Sequence, residues 1–165
     1  MEFRIATTDD CNVINRIASR IWAPTYSHLM SPEQLDYMFE MMYSPENLRK
    51  AMITGGQTFL IFSDGGEDLG YVSYETLENH GYYLQKIYLL PVRQGKGDGR
   101  NMLGLFLDYL RGIDPQAGRL GLNVNRNNKK AIDFYRRNGF EIVSRRDHPI
   151  GNGYFMYDYI LERDI

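Results

Sequence analysis

The sequence has little of several features that would each point to a particular class of protein. It contains a single cysteine, Cys11, so no intrachain disulfide can form, and this favours a reducing, cytoplasmic compartment. The 19 Lys and Arg residues nearly balance 21 Asp and Glu residues, and a net charge of −2 argues against a nucleic-acid-binding face. Apolar runs such as 102–107 are far shorter than the roughly 20 residues that span a bilayer. The three histidines stand far apart, so we expect no metal site.

What the chain does contain is sufficient for one domain, which we expect to cover residues 1–165. A chain of this length buries roughly two-thirds of its unfolded surface, so it needs neither a disulfide nor a metal ion for stability. Hydrophobic residues make up 43% and charged residues 24%, as in ordinary globular proteins. The unusual component is tyrosine, with 13 residues.

The order of strand and helix patterns predicts a mixed α/β fold. Strands are expected near 3–6, 57–63, 69–77, 82–91, 119–124, 140–145 and 154–162. Helices are expected near 8–22, 31–42, 44–54, 97–112 and 127–138. The middle strands follow one another through short turns as an antiparallel meander, and the later strands alternate with helices. We expect a central, mostly antiparallel sheet of about seven strands, flanked by four or five helices.

The most informative segment is a glycine-rich turn at 94–100, which reads Gln-Gly-Lys-Gly-Asp-Gly-Arg. It follows a predicted strand and precedes an amphipathic helix. Alternate glycines allow successive backbone N–H groups to point into one concavity, and the helix start adds a partial positive charge. These features indicate a phosphate-binding loop, to which Lys96 and Arg100 add charge. A loop that is rich in glycine only for turning is the alternative.

Two common phosphate-binding motifs do not fit this turn. A Walker loop requires Ser or Thr directly after Gly-Lys, where this chain has Gly97. A dinucleotide fingerprint requires a third glycine where this chain has Arg100 or Met102. The pattern that fits is Gln/Arg-x-x-Gly-x-Gly/Ala, at Gln94, Gly97 and Gly99.

A second motif lies downstream, at 122–140. It reads Leu-x-Val at 122–124, Asn-x-x-Ala at 128–131 and Tyr-x-x-x-Gly-Phe at 135–140. Together with the glycine-rich turn, this order resembles the GNAT superfamily of N-acetyltransferases. The resemblance is specific over about 82–140, and its element order extends over nearly the whole chain. An early Trp22-x-x-x-Tyr26 resembles the small-amine acetyltransferases.

The resemblance implies an acetyl-CoA-binding fold in which two central strands splay apart around the pantetheine arm. It implies that the strand backbone at Ile87, Leu89 and Leu90 pairs with that arm. The pyrophosphate is then expected on the loop residues Gln94, Gly95, Lys96, Gly97, Asp98, Gly99 and Arg100. Asn128 is expected to contact the cofactor, and helix capping is its alternative role. The family usually has an aliphatic residue in place of Asp98, whose carboxylate we expect to point away from the phosphates.

The implied reaction moves an acetyl group from the CoA thioester to a primary amine by direct attack in a ternary complex. Tyr135 is the implied general acid for the departing thiolate, and simple packing is its alternative role. A backbone N–H near Ile87–Leu89 is expected to stabilise the oxyanion. The base stays open among Glu75, Glu78 and Tyr83.

The acceptor-site candidates are Trp22, Tyr26 and Glu75. Aromatic faces attract cations, so the first two and the aromatic final strand (Tyr154, Phe155, Tyr157 and Tyr159) favour a small amine or polyamine. Glu78 and Asp158 would add negative charge. The remaining tyrosines, including Tyr37, Tyr43, Tyr71 and Tyr109, are assigned to packing.

Several alternatives stay open. A protein N-terminus or lysine would also suit an acetyltransferase as acceptor. A non-catalytic acyl-CoA-binding module would keep the loop but have no use for Tyr135, and a nucleotide-binding protein could use the same glycine-rich turn. The aromatic final strand is also compatible with a homodimer paired through end strands.

Overall fold

A seven-stranded sheet runs through the computed structural model, which describes all residues, 1–165. The strands are β1 (Glu2–Ile5), β2 (Thr58–Asp64), β3 (Glu67–Thr76), β4 (Gly81–Leu89), β5 (Arg119–Asn125), β6 (Glu141–Gly151) and β7 (Tyr154–Asp164). Their spatial order is β1-β2-β3-β4-β5-β7-β6, and only β4 and β5 pair in parallel. The helices are α1 (Cys11–Tyr26), α2 (Pro32–Tyr43), α3 (Pro45–Ile53), α4 (Asp98–Ile113) and α5 (Lys129–Arg137). The predicted mixed fold and mostly antiparallel sheet are therefore confirmed.

Both faces of the sheet are covered by helices. One face packs against α4 and α5 through a cluster that includes Phe62 and Phe106. The opposite face packs against α1, α2 and α3 through a second cluster that includes Ile14 and Trp22. The opening between β4 and β5 that is described below is therefore flanked by helices on both faces of the sheet. None of the five helices combines the length and the apolar character needed to cross a bilayer.

Two helix starts follow directly from the sequence. The Ser31 hydroxyl accepts a hydrogen bond from the backbone N–H of Gln34 at 3.2 Å, and α2 begins with a proline. The Ser44 hydroxyl does the same for Asn47 at 3.3 Å, and α3 also begins with a proline. Each serine satisfies one of the N–H groups that a helix start leaves free, so both boundaries are local.

Helix α1 continues through Pro24 to Tyr26, four residues beyond its predicted end at Trp22. Pro24 has no N–H and so removes one helical hydrogen bond, whereas the neighbouring Thr25 hydroxyl donates to the Ile21 carbonyl at 2.7 Å. The Trp22 indole N–H donates to the Leu35 carbonyl of α2 at 3.0 Å, which holds the last turns in place. This extension brings Tyr26 to β4.

The opening that the functional site requires lies between β4 and β5. The two strands pair only over Gly81–Leu84 and Arg119–Leu122, although both continue further. At the same point a register shift between β3 and β4 leaves Gln85 without a cross-strand partner. Beyond this bulge the strands diverge, as predicted. We call the opening between 85–89 of β4 and 123–125 of β5 the β4–β5 gap.

The two glycines Gly104 and Gly70 are expected to respond oppositely to alanine. A β-carbon at Gly104, inside α4, would meet no atom within 4 Å, so Gly104→Ala should stabilise the protein by about 1 kcal/mol. A β-carbon at Gly70 of β3 would lie 2.2 Å from the Tyr88 backbone oxygen, so Gly70→Ala should destabilise by about 1–3 kcal/mol. Urea unfolding checks both values, and equal effects would contradict the packing described for these strands.

Candidate active site

The glycine-rich turn forms a concavity lined by backbone donors. It joins a short 3₁₀ turn at Pro91–Arg93 to the start of α4, and Gly95 and Gly97 adopt left-handed φ values of 78° and 90°. None of the backbone N–H groups of residues 95–100 has a hydrogen-bond partner within the chain. Donors of this kind at a helix N-terminus suit an anion such as a diphosphate.

Side chains fix the loop to the strand before it and to the helix beside it. The Gln94 side-chain N–H donates to the Leu89 carbonyl at 2.9 Å, and its oxygen accepts from the Lys130 ammonium at 2.7 Å. Lys96 and Arg100 are exposed and form no ion pair. The loop thus has a fixed backbone with free positive charges at its surface.

Asp98, the unusual residue of the loop, is turned toward Arg93. Its carboxylate accepts from the Arg93 guanidinium at 2.6 Å, and the same guanidinium bonds Asp64 of β2 at 2.7 Å. Arg93 lowers the pKa of Asp64, and the two carboxylates raise that of Arg93. The negative charge of Asp98 is therefore paired at the side of the loop.

Asn128 caps helix α5. Its side-chain oxygen accepts from the backbone N–H of Ala131 at 3.2 Å, so the capping role is present in the structure. Its side-chain amide N–H₂ has no partner within the chain. That group remains available to a ligand, and the predicted cofactor contact stays a prediction.

Tyrosines from three elements lie near the β4–β5 gap, where Tyr135 interacts electrostatically with both Tyr26 and Tyr88. Tyr26 of α1 and Tyr88 of β4 share a hydrogen bond of 2.6 Å between their hydroxyls. Tyr135 of α5 packs edge-on against Phe140, and its hydroxyl makes no hydrogen bond within the chain. Burial raises the pKa of Tyr135, and the neighbouring Tyr26 raises it further. Phenols thus reach the gap from both faces of the sheet.

These features coincide with the match to a known family. The protein-family sequence model described as "Acetyltransferase (GNAT) family" matches residues 15–140, which is most of the chain. This chain belongs to the GNAT family. Membership makes it an N-acetyltransferase with acetyl-CoA as its acyl donor.

Relatives within the GNAT family include proteins of similar length. An uncharacterized N-acetyltransferase of Mycobacterium tuberculosis is 24% identical over 156 residues, which cover 94% of this chain and 98% of that protein. The spermidine N(1)-acetyltransferase of Thermoplasma acidophilum is 25% identical over 148 residues, covering 86% and 89%. The crystal structure of PaiA N-acetyltransferase from Thermoplasma acidophilum, in complex with coenzyme A, superposes with a TM-score of 0.80 at 21% identity over 100% of both chains.

The GNAT fold of this chain does not bring the predicted acceptor residues together in one pocket. Trp22 is 5% exposed, its N–H is bonded to α2, and its ring packs on Tyr26, so it belongs to the core and not to an open pocket wall. Phe155 and Tyr157 stack on each other and are exposed. Tyr154 packs against Tyr37. The aromatic final strand therefore does not form one pocket.

The candidate bases also differ in their surroundings. The Tyr83 hydroxyl donates to the Asn123 side-chain oxygen, and burial raises the pKa of Tyr83 to about 12, so its phenolate is scarce at neutral pH. Glu75 accepts from the Gln85 side chain at 3.0 Å, which places it beside the bulge. Glu78 is exposed in the turn after β3. Of the two carboxylates, Glu75 lies nearer the start of the gap in the sheet register.

Two tyrosines that the sequence assigned to packing, Tyr43 and Tyr71, lie beside Tyr26 and Tyr88, and we call these four residues the tyrosine cluster. Tyr43 and Tyr71 are buried with ring centroids 6.0 Å apart, and Tyr71 is 5.7 Å from Tyr88. Burial is the main cause of the raised pKa of Tyr43; the neighbouring Tyr71 and Tyr26 raise it further, and Tyr88 lowers it. The excess of tyrosine was the only sequence signal for this cluster, because its members lie far apart along the chain.

Proposed function

We propose that this enzyme acetylates a primary amine of a small molecule or polyamine within the β4–β5 gap. The observation that carries the proposal is the position of two features at one opening. The loop at 94–100 supplies free N–H donors just after the part of β4 that does not pair with β5. Tyr135 lies near the same gap, and its hydroxyl has no hydrogen-bond partner within the chain. A diphosphate-bearing thioester and an acid for its thiolate are the ligands and chemistry that this arrangement suits.

The loop and the strand before it would hold the donor. The backbone N–H groups of residues 95–100 would bind the pyrophosphate, with Gln94 fixing the loop. The β5-facing backbone of Ile87 and Leu89 would pair with the pantetheine amides, because β5 has diverged there. The backbone of Leu90, also predicted for this role, is already bonded: its N–H donates to the Leu69 carbonyl at 2.8 Å and its carbonyl accepts from Arg93 at 2.9 Å. Acetyl-CoA, when bound, supplies the acetyl group as a thioester that a neutral amine can attack directly.

Tyr135 would act as the acid in this reaction. Burial raises its pKa, so its hydroxyl keeps its proton throughout the neutral range and can donate it to the leaving sulfur. The backbone N–H groups near Ile87–Leu89 would stabilise the oxyanion. Glu75 is the available carboxylate for the amine proton, directly or through water.

A small amine as acceptor agrees with two observations. The gap is lined by phenols, whose rings and oxygens favour an alkylammonium. The similarity to a spermidine N(1)-acetyltransferase supports the same class. The peptide alternative has no separate feature in this chain that favours it.

An amine panel tests the proposal. The purified protein with acetyl-CoA should release free CoA thiol when 1,4-diaminobutane, spermidine or n-butylamine is added, and mass spectrometry should show the acetylated amine. Acetylation restricted to peptide N-termini or lysines would overturn the small-molecule acceptor. CoA binding, seen as a thermal shift, without transfer to any amine would instead indicate a binding module.

A further inference from the structure

Three buried side-chain atoms have no hydrogen-bond partner within the chain. They are the Tyr43 hydroxyl oxygen, His148 Nδ1 and Asp158 Oδ1. Unpaired polar atoms are rare in native interiors because water is lost without replacement. Asp158 is the most unusual of the three, because its side chain is 3% exposed and carries an ionisable carboxylate. A ligand that supplies hydrogen-bond donors would account for such acceptors.

Asp158 and His148 lie on one face of the β6–β7 hairpin. His148 pairs with Met156 and Arg146 pairs with Asp158, so the residues two apart on each strand share a face. Met156 on this face packs against the cluster that contains Tyr26. Both unpaired atoms therefore lie on the α1 side of the sheet, where Tyr26 enters the gap.

Asp158 lies close enough to the gap to influence its phenols. Burial is the main cause of the raised pKa of both Tyr26 and Tyr83, and the charge of Asp158 raises each further. The Asp158 Oδ2 atom accepts from the Asn123 side chain at 3.2 Å, which leaves Oδ1 as the free acceptor. Asn123 in turn accepts from Tyr83, so the carboxylate is held in a fixed position beside β5.

No cation of the chain pairs with this carboxylate. Arg146 stands opposite Asp158 in register, but it is exposed and forms no ion pair. Arg126 is bonded to Asp147 at 2.7 Å. Burial raises the pKa of Asp158, and the Asn123 hydrogen bond and the charges of His148 (when protonated), Arg126 and Arg146 oppose that rise.

We propose that Asp158 and His148 bind a second ammonium group of the acceptor, so that the substrate class is a diamine or longer polyamine. The inference rests on the proposed acetylation of small amines. An ammonium offers three donors and no acceptor. A carboxylate oxygen and an imidazole nitrogen without a proton are the acceptors that it requires, and His148 provides the latter in its Nε2–H tautomer.

Calorimetry with two amines of equal chain length tests the subsite. With CoA present, wild type is expected to bind 1,4-diaminobutane more tightly than n-butylamine. Asp158→Asn should weaken diamine binding about 30-fold or more and leave butylamine unchanged, because a buried charge pair is lost. His148→Leu should weaken diamine binding about tenfold through one lost hydrogen bond. Asp164→Asn is the matched control, since Asp164 is on the same strand but its side chain is 90% exposed.

Each outcome separates the subsite from the proposed function. Equal weakening of both amines by Asp158→Asn, or no weakening, overturns the subsite. The melting temperature of unliganded Asp158→Asn should equal or exceed that of wild type, since an unpaired buried charge is removed. A lower melting temperature together with lost CoA binding also overturns the subsite. Diamine binding without acetylation supports the subsite and overturns the proposed function. Equal kcat/KM for the two amines overturns the subsite and leaves the proposed function intact.

Discussion

Replacing Tyr135 with phenylalanine is expected to lower kcat for acetyl transfer about 100-fold or more, because general acids contribute at least that factor. The KM for acetyl-CoA should change little, since the loop and β4 hold the donor and the phenol acts only on the departing thiolate. Steady-state kinetics with a saturating amine measures both constants. The ring remains in the variant, so its packing against Phe134 and Phe140 is preserved.

The pH dependence of this variant follows from the surroundings of Tyr135. Burial and the neighbouring Tyr26 raise the pKa of Tyr135 above its ordinary value of about 10, so the acid form persists throughout the neutral and mildly alkaline range. The loss in the phenylalanine variant should therefore be nearly constant from pH 6 to pH 9. Tyr109→Phe is the control, because its hydroxyl bonds only Tyr74 on the α4 side. An unchanged kcat at every pH would contradict the acid role.

Replacing Gly97 with valine is expected to weaken CoA binding about tenfold or more. Gly97 has a φ of 90°, where a β-branched side chain is strained by about 1–3 kcal/mol. Relief of that strain would turn the N–H groups of residues 95–100 out of the concavity. Calorimetric titration with CoA measures the loss, which at tenfold corresponds to about 1.4 kcal/mol.

A second glycine separates the loss of affinity from the loss of stability. Gly56 has a φ of 69°, and its added β-carbon would also meet no atom within 4 Å. Gly56→Val should thus carry comparable strain at a position between α3 and β2, away from the loop. It should lower the melting temperature as Gly97→Val does and leave the CoA affinity unchanged. Equal CoA affinity in both variants would contradict the phosphate-binding role of the loop.

The elements that the sequence predicted well are those with local causes. The glycine-rich turn, its helix and the serine caps of α2 and α3 depend on residues within a few positions of one another. The antiparallel arrangement of β2, β3 and β4 followed from the short turns between them, whereas the position of β7 between β5 and β6 was not predicted. The diverging pair β4 and β5 was expected only through the family resemblance, because the bulge at Gln85 has no local sequence signal.

The errors came from tertiary contacts. Strand β6 was predicted to end near Arg145, yet it continues to Gly151, because β6 is an edge strand on which Pro149 is tolerated. That extension brings His148 opposite β7. Helix α1 passed Pro24 for a similar reason, since Trp22 is held by α2. Neither the unpaired Asp158 nor the tyrosine cluster could be predicted without these contacts.

A crystal structure with CoA and 1,4-diaminobutane tests the central claim most directly. The account predicts the pyrophosphate on the N–H groups of residues 95–100, the thiol beside the Tyr135 hydroxyl and one ammonium at Asp158 Oδ1. A second cleft exists beside Arg16 and Arg20 of α1, which also presents positive charge. A pyrophosphate bound in that cleft, with the thiol outside the β4–β5 gap, would contradict the account.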